Sequence, residues 1–324
     1  MKKQNLLITG CAGFIGFHTS KYFIKKKIKV IGIDNINSYY DINLKKDRLN
    51  ILKKEKNNFR FYKIDLLEKK KLKKIIVDNN IVSIINLAAQ AGVRDSIKNP
   101  KKYFDNNVMG FFNILEVCKE LKINLIYASS SSVYGEEKPM KETKELKPIQ
   151  FYAVTKKINE EMAKVYSKLY KLKTIGLRFF TVYGSYGRPD MSYYKFSKKL
   201  FQKKTIEVYN NFKHSRDFTH VADVTKFIYE CYLKINKKKE IINNIYNVGS
   251  GKKTTLKQLV YLLEKNFNKK FKIKTLKKQT GDIENTLANI SKARKELNYN
   301  PEISYSDGVK EFVDWFKLYH HKYK

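Results

Sequence analysis

The sequence is poor in cysteine, proline and glycine, and each scarcity excludes a class of protein. Its 324 residues contain three cysteines, Cys11, Cys118 and Cys231, which lie far apart and form neither a CxxC pair nor a Cys/His metal spacing. We therefore expect reduced thiols and no metal site. With five prolines and fourteen glycines the chain has no low-complexity tract, so its composition is that of a globular protein with a substantial apolar core.

Long apolar runs are also absent. No stretch of about eighteen uninterrupted apolar residues occurs, so we expect no membrane-spanning helix. Residues 1–16 place lysines before an apolar run, as a signal peptide does, but three glycines interrupt that run and a strand–loop–helix pattern follows. The sequence therefore predicts a cytoplasmic protein.

Arginine is scarce even though the formal net charge is +36. Only seven of the 67 basic residues are arginines, whose planar guanidinium matches phosphate oxygens in pairs, and the lysines are spread through the whole chain. We attribute the charge to a compositional bias and expect no nucleic-acid partner, because no recognition motif accompanies it. A nucleic-acid binder would instead show retention on DNA that falls steeply with salt.

Short apolar runs alternate with amphipathic segments through the first half of the chain. The runs that we predict as strands are residues 6–9, 30–33, 59–64, 82–87, 125–128 and 174–180. The segments that we predict as helices are residues 15–25, 69–78, 103–121 and 152–170. This rhythm is typical of parallel βαβ units, so it predicts an α/β fold with a doubly wound parallel sheet.

After residue 182 the βα rhythm stops. A connector rich in Gly and Tyr, residues 183–211, contains one short predicted helix, and further helices are predicted at residues 222–233, 255–267, 291–297 and 306–318. We predict a nucleotide-binding domain over residues 1–182 and a smaller C-terminal α/β substrate-binding domain over residues 183–324, with room for the chain to cross back to the sheet. Ligands of open parallel sheets bind at the carboxyl ends of the strands, so the cleft should lie between these parts.

A glycine-rich turn joins the first predicted strand to the first predicted helix. Gly10, Gly13 and Gly16 permit a tight turn and let backbone N–H groups approach a pyrophosphate at the start of the helix. The second predicted strand is followed by Asp34, whose carboxylate suits the ribose hydroxyls of an adenosine and repels a 2′-phosphate. These residues predict a Rossmann site that binds NAD rather than NADP.

Tyr152 and Lys156 form a YxxxK pair at the start of a predicted helix, where positions i and i+4 share one face. A tyrosine with a pKa near 10 is a poor base at neutral pH, but an adjacent ammonium stabilises its phenolate. Tyr and Lys are so common here that the spacing alone decides little. The pair gains weight from its position after a strand that leads into the serine-rich segment 129–135.

Taken in order, these motifs resemble the short-chain dehydrogenase/reductase superfamily over essentially the whole chain. The resemblance implies a catalytic triad of Ser130, Tyr152 and Lys156, with Ser129 the weaker candidate for the serine. Tyr152 would remove a hydroxyl proton while NAD takes a hydride from the same carbon. The implied cofactor-binding residues are Gly10, Gly13, Phe14, Ile15, Gly16, Asp34, Asn35, Asp65, Leu66, Leu87, Ala88, Ala89 and Asn106, together with Tyr152 and Lys156.

Residues 177–184 and 216–223 resemble the extended branch of that superfamily, the NAD-dependent epimerase/dehydratase family, which acts on nucleotide sugars. Related 4,6-dehydratases carry Asp-Glu where Ser131 and Ser132 stand, and related UDP-glucuronate decarboxylases carry Glu at the second position. The resemblance therefore implies oxidation followed by re-reduction, which is epimerisation, rather than elimination or decarboxylation.

Residues 34–41, 90–94 and 181–191 resemble the UDP-glucuronate 4-epimerases within this family. UDP-glucose 4-epimerases usually have Asn where Thr181 stands. The resemblance implies conversion of UDP-glucuronate to UDP-galacturonate; a 4-epimerase of neutral UDP-hexoses and a non-catalytic NAD-binding scaffold remain alternatives. The expected substrate-binding residues are Arg94, Ser131, Ser132, Thr181, Arg188 and Arg216, whereas Arg178 is expected to be structural.

The resemblance also implies an oligomeric state and a pathway. Relatives often dimerise through two helices that form a four-helix bundle, and the predicted helices 103–121 and 152–170 are the matching pair. We therefore expect a homodimer whose only other partner is a UDP-sugar, with a product used in polysaccharide biosynthesis.

Overall fold

A computed structural model of the protein describes residues 5–237, 240–277 and 283–321. In chain order the strands are β1 (Asn5–Thr9), β2 (Val30–Asp34), β3 (Phe59–Lys63), β4 (Ile81–Asn86), β5 (Asn124–Ser130), β6 (Thr174–Phe179), β7 (Thr181–Tyr183), β8 (Ile206–Tyr209), β9 (Ser215–Arg216), β10 (Phe218–His220), β11 (Asn243–Val248), β12 (Thr254–Thr255) and β13 (Ile273–Leu276).

The helices alternate with the strands through the first half of the chain. They are α1 (Phe14–Lys25), α2 (Ile42–Lys53), α3 (Lys69–Asp78), α4 (Val93–Lys98), α5 (Pro100–Tyr103), α6 (Gly110–Leu121), α7 (Phe151–Tyr170), α8 (Ser192–Phe201), α9 (Val221–Lys237), α10 (Leu256–Phe267), α11 (Ser291–Leu297) and α12 (Tyr305–His321). A π-helical turn, Phe104–Met109, joins α5 to α6, and 3₁₀ turns occupy Ser131–Tyr134 and Asn210–Phe212.

Seven parallel strands form the main sheet, in the order β11-β6-β5-β4-β1-β2-β3. The order reverses between β1 and β4, where a doubly wound sheet opens a crevice at its carboxyl edge. The predicted Rossmann architecture is thus confirmed. The seventh strand, β11, comes from the second half of the chain, which crosses back to pair with β6.

Both faces of the sheet are covered, which explains why its central strands are continuous apolar runs rather than alternating ones. On β1, Leu6 and Ile8 pack with α1 and α9 on one face, and Leu7 packs with α3 and α6 on the other. Successive side chains of a strand point to opposite faces, so both packings come from one five-residue strand. The edge strand β3 has exposed positions instead.

A smaller unit covers the carboxyl edge of the sheet. Its apolar core is shared by α8, α10 and α12 with the parallel pair β8–β13, and it is rich in aromatic rings. Two short pairs, β7 with β10 and β9 with β12, connect this unit to the sheet. The boundary predicted at residue 182 falls inside β7, and α9 and β11 return to the larger unit.

Several element boundaries differ from the sequence prediction. The helix predicted over residues 103–121 contains the π-helical turn Phe104–Met109, and the strand predicted over residues 174–180 ends at Phe179. Helix α2 was not predicted from its lysine-rich sequence, although Asp41 caps it by accepting a hydrogen bond from the Asn43 N–H at 2.9 Å. In the described part of the chain we found no helix with both the length and the apolar character needed to cross a bilayer.

Candidate active site

A cavity of about 840 Å³ lies at the carboxyl edge of the main sheet, between the two units. That volume is at the upper end of the range for small-molecule sites. All of the catalytic, cofactor-binding and substrate-binding residues predicted from the sequence lie on its wall. Residues from six strand ends meet there because the carboxyl ends of parallel strands share one edge of a sheet. The roles of the individual residues stay predictions.

The glycine-rich loop is packed too closely for any other residue at two of its positions. Gly10 has a φ of +67°, and a Cβ there would lie 2.8 Å from the Ala88 nitrogen at the end of β4. A Cβ on Gly16 would lie 2.0 Å from the Gly10 carbonyl oxygen. The loop backbone therefore lies directly against β4 and forms the floor of the cavity.

The N-terminus of helix α1 lies at this floor and is suited to binding an anion. Its N-cap is Gly13, with no capping side chain, and its first turn has no acidic residue. The first-turn N–H groups of a helix have no intrahelical partner and carry the positive end of its dipole. Phe14 and Ile15 lie on the cavity wall at this point. The arrangement fits the pyrophosphate of a dinucleotide.

Asp34 and its neighbours form the side of the cavity next to this loop. The Asp34 carboxylate accepts hydrogen bonds from the N–H groups of Ala12 at 3.1 Å and Ile36 at 2.8 Å. Burial raises the pKa of this carboxyl, and the hydrogen bond from Ile36 opposes the rise. Asn35 donates to the Asp65 carboxylate at 2.8 Å. Polar side chains are thus held in place by hydrogen bonds at the ends of β2 and β3.

Tyr152 and Lys156 lie together on the first turns of α7. The Lys156 Nζ is 6.0 Å from the centre of the Tyr152 ring and donates a hydrogen bond of 2.9 Å to the Ala128 carbonyl. Burial raises the pKa of the Tyr152 hydroxyl, while hydrogen bonding from Ser130 and the charge of Arg188 lower it. Burial lowers the pKa of Lys156 to about 8, and Glu160 opposes that change. A cation that is costly to bury is thus held beside the tyrosine.

The two adjacent serines at the end of β5 have different surroundings. The Ser129 hydroxyl donates a 2.5 Å hydrogen bond to Glu160 behind the sheet edge. The Ser130 hydroxyl donates to the Ser132 hydroxyl at 3.2 Å and contacts Tyr152. Ser130 is therefore placed to reach an oxygen that Tyr152 also reaches, and Ser129 is occupied by Glu160.

We expect Lys156→Met to abolish turnover yet stabilise the protein by about 2 kcal/mol at pH 7. The pKa of Lys156 is lowered to about 8, from a value near 10.4 in an unfolded chain, so its charge costs about 3 kcal/mol below pH 8. Loss of the hydrogen bond to Ala128 offsets about 1 kcal/mol of this gain. The gain is complete below pH 8 and disappears as the pH rises towards about 10, where lysine is neutral in both states.

Urea unfolding at pH 7 and pH 10, at matched cofactor content, measures this difference. Lys157→Met is the matched control, because Lys157 lies next in α7 and donates a similar bond to the Leu146 carbonyl outside the cavity. A Lys156→Met protein that is no more stable than the wild type at pH 7 would contradict the buried charge.

The sequence analysis expected Arg188 to bind substrate and Arg178 to be structural, and the structure places these two arginines in different surroundings. Arg178 forms a buried bidentate pair with Glu160, with N–O distances of 2.9 and 2.7 Å, and does not lie on the cavity wall. Arg188 lies on the wall, where its Nε donates to the Asp190 carboxylate at 3.0 Å and its charge acts on Tyr152. Arg188 is therefore on the cavity wall near Tyr152, and Arg178 is buried behind that wall.

The far end of the cavity is basic and aromatic. The Arg94 guanidinium lies 5.6 Å from the centre of the Tyr209 ring, and Arg216 donates 2.9 Å hydrogen bonds to two backbone carbonyls. Among the wall residues that the sequence analysis missed are Lys195, Lys199, Tyr209 and His214. The two lysines are at positions i and i+4 of α8, but lysine is so frequent in this chain that the spacing carried no signal.

Asn107, which follows the predicted cofactor-binding residue Asn106, joins two parts of the cavity wall by hydrogen bonds. Asn106, the predicted residue, lies on the wall and donates to the Lys102 carbonyl at 2.8 Å. Its neighbour Asn107 is buried, exchanges hydrogen bonds of 2.7 and 3.0 Å with the backbone of Gln90, and donates to Thr155 at 3.1 Å. Asn107 thus fixes α7 against the cavity wall one residue before Lys156. The π-helical turn therefore places Asn106 on the cavity wall and Asn107 in the interior behind it.

Known proteins are similar to this chain in sequence and in fold. The profile of the family described as GDP-mannose 4,6 dehydratase matches residues 7–312. The chain is 40% identical to the UDP-glucuronate 4-epimerase of Thermodesulfobacterium geofontis, over 96% of this chain and 95% of that protein.

Two solved structures are similar over 98% of this chain and 100% of their own. One is UDP-glucuronic acid 4-epimerase from Bacillus cereus in complex with UDP-glucuronic acid and NAD, with 33% identity and a TM-score of 0.92. The other is UDP-glucose 4-epimerase from Thermotoga maritima with UDP-glucose, with 26% identity and a TM-score of 0.88.

Proposed function

Because the chain belongs to the NAD-dependent epimerase/dehydratase family, we propose that it is a UDP-glucuronate 4-epimerase that forms UDP-galacturonate. It is an isomerase of the nucleotide-sugar 4-epimerase class with NAD as its cofactor. One observation supports the choice of sugar above all. Ser131, Ser132 and Thr181 bring three small hydroxyl groups to the cavity wall that also carries Tyr152.

The residues present fit NAD. The N-terminus of α1 and the glycine-rich loop would hold its pyrophosphate, and Asp34 would accept hydrogen bonds from the adenosine ribose. Bound NAD supplies a reversible hydride acceptor at the sugar C4. Tyr152 and Lys156 line the same cavity, so the chain's own proton-handling groups are within reach of that carbon.

The chain handles the proton of the C4 hydroxyl. Tyr152 accepts this proton, and the Lys156 ammonium stabilises the resulting phenolate. Ser130 donates a hydrogen bond to the same substrate oxygen and holds it in line as the C4 ketone forms. After the keto sugar turns its other face towards the cofactor, Tyr152 returns the proton. The residues end each turnover as they began it.

The 4-keto intermediate is also prone to decarboxylation. A 4-keto sugar with a carboxylate on C5 is a β-keto acid, which loses carbon dioxide when the carboxylate is oriented favourably for cleavage. Ser131, Ser132 and Thr181 would donate hydrogen bonds to the carboxylate and hold it in another orientation. These hydroxyls would therefore both recognise UDP-glucuronate and protect its intermediate.

We expect Thr181→Ala to raise the ratio of pentose by-product to UDP-galacturonate about tenfold. Loss of one hydrogen bond to a charged group costs about 1.5–3 kcal/mol, which is enough to release the carboxylate from its protected orientation. Product ratios by proton NMR measure the effect. Thr275→Ala, at an exposed position of β13, is the control. An unchanged ratio in Thr181→Ala would remove Thr181 from the carboxylate site.

Proton NMR of the purified protein with UDP-glucuronate and no added cofactor tests the function. Formation of UDP-galacturonate would establish the reaction, the sugar and the retained NAD together. If UDP-glucuronate stays unchanged with NAD added, while UDP-glucose or UDP-N-acetylglucosamine is converted, the substrate assignment is wrong and the mechanism stands. UDP-xylose as the main product would contradict the argument from Ser131 and Ser132.

Two other functions are separated by the same experiment. A 4-epimerase of neutral UDP-hexoses is favoured by the similarity to the Thermotoga maritima enzyme and predicts conversion of UDP-glucose or UDP-N-acetylglucosamine but not of UDP-glucuronate. A non-catalytic NAD-binding scaffold predicts no turnover of any sugar. The cavity that brings Ser130, Tyr152 and Lys156 together argues against the scaffold, because such a protein has no use for them.

We also propose that residues 183–324 supply the nucleotide-sugar side of the cavity. In addition, we propose that the protein is a homodimer. Helices α6 and α7 pack against each other and expose large apolar side chains, whose exposed fractions reach 62% at Leu169. Two such helix pairs bury each other in a four-helix bundle. The exposed residues at or beside these helices are Met109, Phe112, Val165, Leu169 and Tyr170. Light scattering should show a dimer, and Leu169→Glu should give a monomer.

A further inference from the structure

Arg48 on α2 is wholly buried, although neither the sequence motifs nor the reaction scheme uses it. Its Nη1 donates to the Ala12 carbonyl at 2.8 Å and to the Tyr40 hydroxyl at 2.6 Å. Its Nε and Nη2 donate to the Tyr186 carbonyl at 3.2 and 2.6 Å, and Nη2 approaches the Gly187 carbonyl at 3.4 Å. The guanidinium is thus bonded mainly to backbone carbonyls.

These carbonyls belong to two separate loops, each of which contributes residues to the cavity wall. Ala12 lies in the glycine-rich loop at the start of α1, and Tyr186 and Gly187 directly precede Arg188. A single side chain from a third element therefore spans the floor of the dinucleotide subsite and the loop beside Tyr152. Only a planar fork of donors reaches both loops at once; a lysine ammonium is a point donor on a flexible stem.

The conformation of the loop before Arg188 is maintained by contacts with other elements of the fold. Tyr186 has a φ of +55°, a left-handed conformation that non-glycine residues adopt only when their surroundings hold them there. Its ring packs on Phe17 of α1 and on Trp315 of α12, with centroid distances of 5.2 and 4.9 Å. The His18 ring lies 2.8 Å from the Ser185 carbonyl oxygen. Contacts from helix α1 and from Arg48 therefore both hold this loop in place.

We propose that Arg48 is a positioning residue that locks the Arg188 loop to the glycine-rich loop and so couples nucleotide-sugar affinity to cofactor retention. The fork fixes the separation of the two loops, so a shift of either loop changes both subsites. The proposal rests on the proposed function in one respect, that Arg188 faces the nucleotide sugar. Arg48 itself is not among the residues that line the cavity.

Two rival roles for Arg48 make different predictions. As a mere countercharge for nearby Asp34, it would be replaced without loss by lysine, which keeps the charge. As a mere core residue, it would affect stability and leave ligand affinities unchanged in any variant that folds. The positioning role requires the fork, so both Arg48→Lys and Arg48→Met should lose the coupling.

The test is calorimetric titration of UDP into NAD-loaded protein, together with the NAD content of each purified variant. We expect Arg48→Lys and Arg48→Met to weaken UDP binding about tenfold and to lose NAD during purification, as a coupling of typical size predicts. The control is Arg294→Lys on the exposed surface of α11, which should match the wild type. Trp315, the single tryptophan, contacts Tyr186, so its emission should shift in both Arg48 variants.

Kinetics give a second readout. With NAD added in excess, the KM for the UDP-sugar should rise about tenfold, while kcat at saturation changes less than about threefold, because Arg48 has no hydrogen bond to Tyr152 or Lys156. Wild-type affinity, NAD content and emission in Arg48→Lys would overturn the positioning role and leave the proposed function intact. Loss of fold in both variants would assign Arg48 to core stability and overturn it too. A wild-type protein that binds no UDP would overturn both proposals.

Discussion

Replacing Tyr152 by Phe is expected to lower the rate of C4 epimerisation about a thousandfold while the protein keeps its fold and its NAD. The substitution removes one hydroxyl and keeps the ring that packs edge-on against Tyr103 at 6.2 Å. General acid–base catalysis by a positioned side chain contributes about 10²–10⁴-fold, and Tyr152 is a cavity tyrosine that contacts Ser130 and lies beside Lys156.

The rate of UDP-galacturonate formation by proton NMR measures this loss, and the absorbance of the bound cofactor reports NAD content. Tyr166→Phe is the matched control, because it removes a hydroxyl from the same helix, where that group donates to Glu116 at 2.6 Å away from the cavity. A Tyr152→Phe protein that keeps a tenth of the wild-type rate would show that another group moves the proton.

Replacing Arg178 by Met is expected to lower the free energy of unfolding by about 3–5 kcal/mol. The side chains of Arg178 and Glu160 are only 4% and 6% exposed, and they are joined by two hydrogen bonds of 2.9 and 2.7 Å. Without the guanidinium, the Glu160 carboxylate stays buried with the Ser129 hydroxyl as a hydrogen-bond partner and with the charge of Lys156 nearby, but it loses its direct ion pair. Removal of one partner from a buried ion pair is among the costliest single changes in a protein.

Urea unfolding followed by circular dichroism measures this cost. Arg294→Met, at an exposed position, is the control and should change stability by less than about 0.5 kcal/mol. The double variant Glu160→Leu/Arg178→Met removes both charges and should recover most of the loss. If the double variant is as unstable as Arg178→Met, the cost lies in packing against Tyr134 rather than in the unpaired carboxylate.

The cofactor half of the site could be predicted from the sequence because its requirements are local. Gly10 and Gly16 are demanded by contacts within a few residues of a strand–turn–helix unit and by the strand beside it. Asp34 follows from its place at the end of the second strand. Convergence of these residues on one cavity required only that the strands be parallel, which the alternation of strands and helices already indicated.

The choice between neighbouring residues could not be predicted in this way. Ser129 and Ser130 are adjacent and alike, and only the Glu160 carboxylate on α7 shows which hydroxyl is occupied. Asn106 and Asn107 are equally ambiguous, because the π-helical turn shifts the helical phase and gives each a different environment. One residue of phase or register reverses the direction of a side chain, and local patterns do not resolve one residue.

By itself, then, the sequence determined the sheet, the glycine-rich loop and the spacing of Tyr152 and Lys156, because strand and helix periodicities and tight turns depend on neighbours along the chain. The tertiary structure alone decided the basic far wall with Lys195 and Lys199, the burial of Arg48 between two loops, and the return of β11 to the sheet. These features depend on contacts between residues far apart along the chain, and such contacts leave no periodic mark in the sequence.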